Sequence, residues 1–343
     1  TGRIEAPNMS IPWLEWLSLA IRWLHLAAGI AWIGTSFYFI WLDQSLRARD
    51  GLAKGVLGES WAVHGGGFYH VQKYSLAPND MPPELHWFKY EAYFTWLSGF
   101  ALLIVLYYFG ASAYLIDPTR ADLTPIQAIA ASLCFLIGSW VIYEALCRSP
   151  IGRSVPTLAL SLLALILLSA FLLTQIFSDR AAFLHVGALI GTIMSANVFV
   201  IIIPNQKKVV ADLIAGTAPN PALGAQAKQR SLHNNYLTLP VLLLMVSAHY
   251  PMLYSGGAQF GWLVIAFIVV IGGVIRHFFN SHHAGRRGLS LVWQWPLAAL
   301  LGIGLAYFIA TRGPEFSSAR VTDERALQIA QTHCAGCHAA NPT

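Results

Sequence analysis

The chain has 343 residues, 56% of them hydrophobic and 11% charged, with a formal net charge of +5 and a sequence pI near 9.0. That balance, with a positive mean hydropathy, lies outside the range of soluble domains and reads as an integral membrane protein with little chain left over for a soluble enzyme. The basic pI raises nucleic acid as a partner, but the positive residues cluster in the connections between apolar stretches, as membrane topology demands, and nucleic acid is set aside.

A bilayer core of ~30 Å needs ~20 mostly apolar residues per helix. Eight stretches meet this requirement: 13–42, 87–112, 125–147, 155–177, 181–203, 236–253, 258–279 and 289–310. The expected fold is therefore an all-α integral membrane protein of eight transmembrane helices. The first stretch lacks a small-residue cleavage site and carries Glu15, Arg22 and His25, so it reads as a retained helix rather than a signal peptide. With eight spans both termini share a side. One set of connections holds Arg47, Arg49, Lys54, Lys73, Arg148, Arg153, Lys207, Lys208, Lys228, Arg230, Arg276, Arg286 and Arg287, whereas the other side holds only Arg3, Arg120, Arg180 and Arg312. The positive-inside rule puts the richer set in the cytoplasm and both termini in the periplasm of a bacterial inner membrane.

The connection 43–86 is too rich in aromatic residues for a linker, and its triple glycine, Gly65 to Gly67, is expected to permit close backbone approach to a partner. An internal repeat is suggested by "LHLAAGIAWIGTSFYFIWLDQ" from Leu24 and "LHVGALIGTIMSANVFVIIIPNQ" from Leu184, which would make two four-helix halves. Cys134 and Cys147, in the third span, read as small buried hydrophobes.

Residues from Asp323 onward form an amphipathic helix running into "CAGCH". Cys334 and Cys337 are spaced to form thioethers to haem vinyl groups and His338 to be the proximal iron ligand, so a covalent haem c is expected. A zinc site would need two further ligands nearby. The expected organisation is a transmembrane catalytic domain over 1–311, followed over 312–343 by a linker and the truncated opening of a class I cytochrome c domain.

Ionisable residues inside spans are costly and mark function. His25 and His185, the repeat-related pair, and His249 are candidate ligands of a b-type haem in the membrane domain, since electrons crossing a ~30 Å core need an intermediate centre. On the cytoplasmic side, "HGGGFYHVQKY", "ELHWFKYEAYFTW", "LHNNY" and "RHFFNSHH" bring a dense set of polar groups to the bilayer boundary. Their chemistry suits an anionic planar heterocycle: Gln72, Lys89, Asn234, Asn235 and Arg276 as binding groups, and His86, Glu91, Lys73 and His277 as catalytic groups able to move protons.

The segments "FYHVQKY", "LHWFKYEAYFTWLSGF" and "LHNNYLTLPVLLLMVSAHYP", on an eight-span chain ending in CAGCH, resemble the bacterial membrane-bound urate hydroxylases (urate oxidases) with a C-terminal cytochrome c domain. The resemblance implies oxidation of urate to 5-hydroxyisourate in purine breakdown, with electrons passed through haem to a periplasmic cytochrome c or terminal oxidase. Two other readings stay open: a quinol-linked b-type cytochrome subunit, and a purine transporter with a fused redox domain.

Overall fold

The computed structural model describes residues 13–75, 77–78, 81–254, 258–312 and 322–333. The chain is mostly helical, built from α1 (Trp13–Ser45), a hairpin of β1 (Val56–His64) and β2 (Gly67–Tyr74), then α2 (Tyr90–Leu103), α3 (Pro125–Arg148), α4 (Val155–Ile176), α5 (Asp179–Ala196), α6 (Ile203–Ile214) and α7 (Pro221–Val246). α8 (Ala258–His283), α9 (Leu289–Val292), α10 (Gln294–Arg312) and α11 (Asp323–His333) complete it. The CAGCH segment, with Cys334, Cys337 and His338, lies outside the described residues.

Local chemistry starts the helices. Thr124 and Gln127 form a reciprocal capping box with Pro125 in the first turn of α3, the Ser178 hydroxyl accepts from the Ala181 amide at the start of α5, and Asn220 caps α7 ahead of Pro221. α2 passes into two π-helical turns, Ile104–Tyr108 and Ala111–Leu115, and α5 into one, Asn197–Ile202, before continuing as α6. Such turns add a residue to the helical cycle and re-aim the side chains that follow.

Among the described residues, seven helical segments are long and apolar enough to cross a membrane: Trp13–Ser45, Tyr90–Tyr108, Pro125–Arg148, Val155–Ile176, Asp179–Ile214, Gln259–His283 and Leu289–Arg312. The expected span at 236–253 is not among them. Its helix, α7, starts at Pro221 and carries Lys228, Arg230, His233, Asn234 and Asn235 before its apolar half begins at Leu237; after Val246 it breaks into two short 3-10 turns. α7 still lies within the bundle. It runs antiparallel to α5, from Asn234 against Met194 to Leu244 against Gly187, and antiparallel to α8, from Asn235 at Arg276 to Pro240 at Gly272. A Cβ on Gly272 would come within 2.6 Å of the Pro240 ring, so glycine is what lets these two helices approach so closely.

α5 is the centre of the bundle, with Phe183, His185, Leu189, Ile190 and Ile193 all buried. At its first turn Arg120 pairs with Asp117 (3.1 Å) and Asp179 (2.7 Å) and donates to the Thr174 and Phe177 carbonyls, locking the α2–α3 and α4–α5 connections together. Neither cysteine is fully buried as expected: Cys147 is half-buried and Cys134 lies on the exposed surface of α3.

The mostly helical chain agrees with the all-α expectation, to which the structure adds a two-stranded hairpin. Its strands pair antiparallel from Val56 opposite Tyr74 to His64 opposite Gly67, and Gly65 and Gly66 have φ of +59° and +78°. Two consecutive residues at positive φ form the two-residue turn whose twist matches the strands, so these glycines serve chain reversal and not the approach of a partner. The hairpin is fastened to the end of α1. Arg47 and Glu59 exchange backbone hydrogen bonds at 2.9 and 3.0 Å, Ser45 meets Ser60 at 2.8 Å, and Lys73 pairs with Asp43 at 2.6 Å.

Glu59, 5% exposed, anchors the arrangement by taking Arg49 at 2.6 Å, His70 at 2.7 Å and the Trp61 indole at 3.3 Å. Burial alone would push the Glu59 carboxyl up, but the hydrogen bonds from His70 and Trp61 and the charge of Arg49 outweigh it and hold the group below the usual carboxylate range. A depressed folded-state value stabilises above the ordinary glutamate range, ~4.3, and that contribution is lost as pH falls through the lower folded value. Hydrogen exchange over 56–74, corrected for intrinsic rates, is therefore expected to be constant above about pH 5 and to accelerate only below about pH 4. Glu59→Gln should show the faster exchange above about pH 5 and converge on wild type as the pH falls below about 4; equal protection in the variant at pH 7 would sink this account.

Candidate functional site

The sequence-derived polar residues separate into three groups. The first is on the hairpin, where Lys73 is occupied by Asp43 at the surface and Gln72 accepts from the Tyr74 hydroxyl at 2.9 Å. The second is at the start of α2. His86 packs edge-on against Phe88 (4.5 Å), which packs against Phe39 of α1 (4.7 Å), and the Lys89 ammonium sits 4.8 Å from the Tyr90 ring centroid. Glu91, half-buried, is one turn before Thr95, whose methyl group faces Gly29, so Glu91 is on the α1-facing side of α2.

The third group forms a buried cluster between α1, α7 and α8. Arg276, 4% exposed, donates from Nε to Oδ1 of Asn235 at 3.0 Å and lays its guanidinium over the Phe37 ring at 4.0 Å. Asn280, one turn beyond Arg276, donates to the same Asn235 oxygen at 2.8 Å. A guanidinium has only donors, so the Asn235 atom facing it must be the amide oxygen, and the Asn280 atom facing that oxygen must be the amide nitrogen. The orientation of both amides follows. What remains is a buried donor, Asn235 Nδ2, and a buried acceptor, Asn280 Oδ1, neither with a partner among the described residues; the side-chain oxygen of Gln44 and Nδ1 of His283 are in the same condition. Gln44 is two turns past Phe37 on α1, and His283 two turns past Arg276 on α8. Buried polar atoms without partners are rare enough to need a ligand or water.

Asn234 is on the other flank of α7 and is already fully used: its oxygen accepts from Asn197 at 3.0 Å and its nitrogen donates to the Met194 carbonyl at 2.9 Å. Asn197, at the start of the π turn, also donates to Tyr143, whose hydroxyl meets His233 Nδ1 at 2.8 Å. His277, next to Arg276, is held by the Tyr236 hydroxyl at 2.7 Å on Nδ1 and by Ser281 at 3.4 Å on Nε2.

The structure thus brings Asn235 and Arg276 into direct contact and sets Asn234 and His277 beside them, but not Gln72, Lys73 or His86. Phe37 and Phe39 are two residues apart on α1, about 200° round the helix. Phe37 faces Arg276, so Phe39, with Phe88 and His86, belongs to a different side of α1. Sequence reasoning missed Phe37, Asn280, Tyr236 and Asn197. Asn280 was visible as the i+4 neighbour of Arg276, but an apolar Phe37 carries no signal until α1 is placed.

The three histidines proposed for a membrane haem are apart. His25 on α1 binds the Thr95 carbonyl (2.9 Å) and Ser98 (3.2 Å) of α2 through Nδ1. His185 is fully buried with both ring nitrogens engaged, Nδ1 on the Ala181 carbonyl at 2.7 Å and Nε2 on Ser132 at 2.9 Å, between the rings of Tyr107 and Phe177. His249 is exposed on a 3-10 turn. Iron ligation needs a free ring nitrogen from each of two facing imidazoles, and this arrangement does not supply them, so these residues as placed do not fit a b-type haem. The repeat-related pair also sits in unlike surroundings, His25 against α2 and His185 against α3. Among the described residues no group of three or more His, Cys, Asp or Glu side chains is placed to hold a metal ion.

Fold and site together define a helical bundle, of a length and apolarity compatible with a multi-pass membrane protein, that holds a buried, cationic, amide-lined cluster near one end. The family model described as urate oxidase N-terminal matches residues 12–310, and the chain belongs to that family. No curated protein and no solved structure matches it.

Proposed function

We propose that the protein is a membrane-bound urate oxidase that binds the urate monoanion at Arg276, Asn235 and Asn280 and converts it to 5-hydroxyisourate. The observation that carries this reading is the free donor on Asn235 and the free acceptor on Asn280 beside a buried guanidinium. A lactam edge of urate presents the complementary acceptor and donor, and its negative charge answers Arg276. Phe37 beneath the guanidinium fixes the plane of the cation and keeps water from its lower face.

The overall change adds the oxygen of one water at C5 and releases two protons and two electrons. His277, next to Arg276 in the chain and oriented by Tyr236 and Ser281, is suited to take one proton; Glu91 of α2 is assigned the second. The Cys334, Cys337 and His338 donor set suits a covalent haem c, which would accept electrons one at a time and pass them to a periplasmic cytochrome c or terminal oxidase. The seven apolar helices support placement in a membrane; with α7, packed among them, counted as an eighth crossing, both termini fall on one side, which charge bias makes the periplasmic side of the bacterial inner membrane.

The test is to add urate to the purified full chain under anaerobic conditions with oxidised cytochrome c and follow both product and cytochrome absorbance. One 5-hydroxyisourate per two cytochromes reduced is expected. Uptake of urate into proteoliposomes without product would replace this reading with the transporter.

A further inference from the structure

A second polar site lies away from the Arg276 cluster, in a cleft of about 220 Å³ between the end of α3, the turn after it and the first half of α7. Its lining includes Arg148, Arg153, Gln226 and Gln229. Every strong acceptor around it is already used. Glu144 takes Arg148 on one carboxylate oxygen (2.6 Å) and Arg230 on the other (2.7 Å). Gln229 accepts from Arg230 and donates to the Gly152 carbonyl, and the Gln226 oxygen accepts from Asn205 at 3.1 Å.

The donors are in surplus. Arg148 engages only its Nε among the described residues, Gln226 keeps its amide nitrogen, and Arg153 is exposed with no ion pair among the described residues. Two guanidiniums, Arg148 and Arg230, share the one carboxylate of Glu144 while Arg153 has none among the described residues, so the cleft carries an excess of positive charge. We infer that this cleft binds an oxyanion of the phosphate class. Its side chains disfavour cations and neutral acceptor-seeking ligands, because each carboxylate or amide oxygen among them already takes a donor. The residues belong to the basic set of connections at the membrane boundary, so the phosphate is either free or carried on an anionic lipid headgroup.

The site can be tested without reference to urate. Gln226→Glu keeps the oxygen that accepts from Asn205 and replaces only the free donor with negative charge; Arg153→Gln removes an arginine that makes no ion pair. Neither change breaks a contact that holds the bundle. Delipidated full-length protein is titrated with inorganic phosphate at constant ionic strength, with chloride as control, by calorimetry. The same proteins are reconstituted in phosphatidylglycerol or phosphatidylcholine nanodiscs, and retained lipid is counted by native mass spectrometry. Saturable phosphate binding that weakens at least ~10-fold in both variants supports a free-phosphate ligand. Phosphatidylglycerol retention lost in both variants, without phosphate binding, supports the headgroup. Phosphate binding and phosphatidylglycerol retention indistinguishable among wild type and both variants would overturn the site.

Discussion

Arg276→Gln is expected to lower kcat/KM for urate by about 100- to 1,000-fold while leaving the bundle folded. The guanidinium is the one arginine or lysine cation in the buried cluster among the described residues, and losing one partner of a buried, hydrogen-bonded charge pair costs about 2–5 kcal/mol of binding or transition-state energy; each 1.4 kcal/mol is tenfold. Folding should survive because Asn235 retains its bond from Asn280 when the arginine is gone. Arg276→Lys keeps the charge but offers a compact ammonium in place of the planar fork that both reaches Asn235 and covers Phe37. It should fall between the two. Initial rates of urate-dependent cytochrome c reduction, with thermal melting as the folding control, measure both. A well-folded Arg276→Gln protein with wild-type kcat/KM would remove this cluster from the substrate site.

The largest effect on stability is expected at Glu144. Its carboxylate is the sole anion on Arg230 among the described residues, and Arg230 is 2% exposed and also lies against the face of Tyr143. Glu144→Ala would leave a buried guanidinium without its counter-charge, a loss of about 3–5 kcal/mol. Replacing both members with apolar side chains, Glu144→Leu with Arg230→Met, removes the stranded charge and should recover most of that loss. Denaturant unfolding of the detergent-solubilised protein decides the matter: a single variant within about 1 kcal/mol of wild type, or a double variant no better than the single, would show that the pair is not holding α3 to α7.

Much of the chemistry was legible in one dimension because it depends on residue type and local spacing. Arg276 and Asn235 stood out as polar groups at the edges of apolar runs, where burial without function is costly, and they meet in space. The same reasoning overreached with His86, Gln72 and Lys73. Nearness to the membrane boundary places a residue at a height, not on a side, and the side of α1 to which each belongs separates them from Arg276. The histidines illustrate a second limit. His25 and His185 share a local motif, but ligation depends on what fills the other ring nitrogen, and for His185 that is a serine 53 residues away in the sequence.

The sequence by itself determined the class of molecule, the bounds of most helices and the polar character of the site, because apolar length, capping residues and buried charge are local properties. Only the tertiary structure decided that 56–74 is a hairpin pinned to α1, that Asn280 and Phe37 complete the cluster around Arg276, and that Asn234 is spent holding α5 to α7. These outcomes turn on which faces of separate helices meet. The azimuth of one helix against another is set by the packing of the whole bundle, which no local stretch of residues encodes.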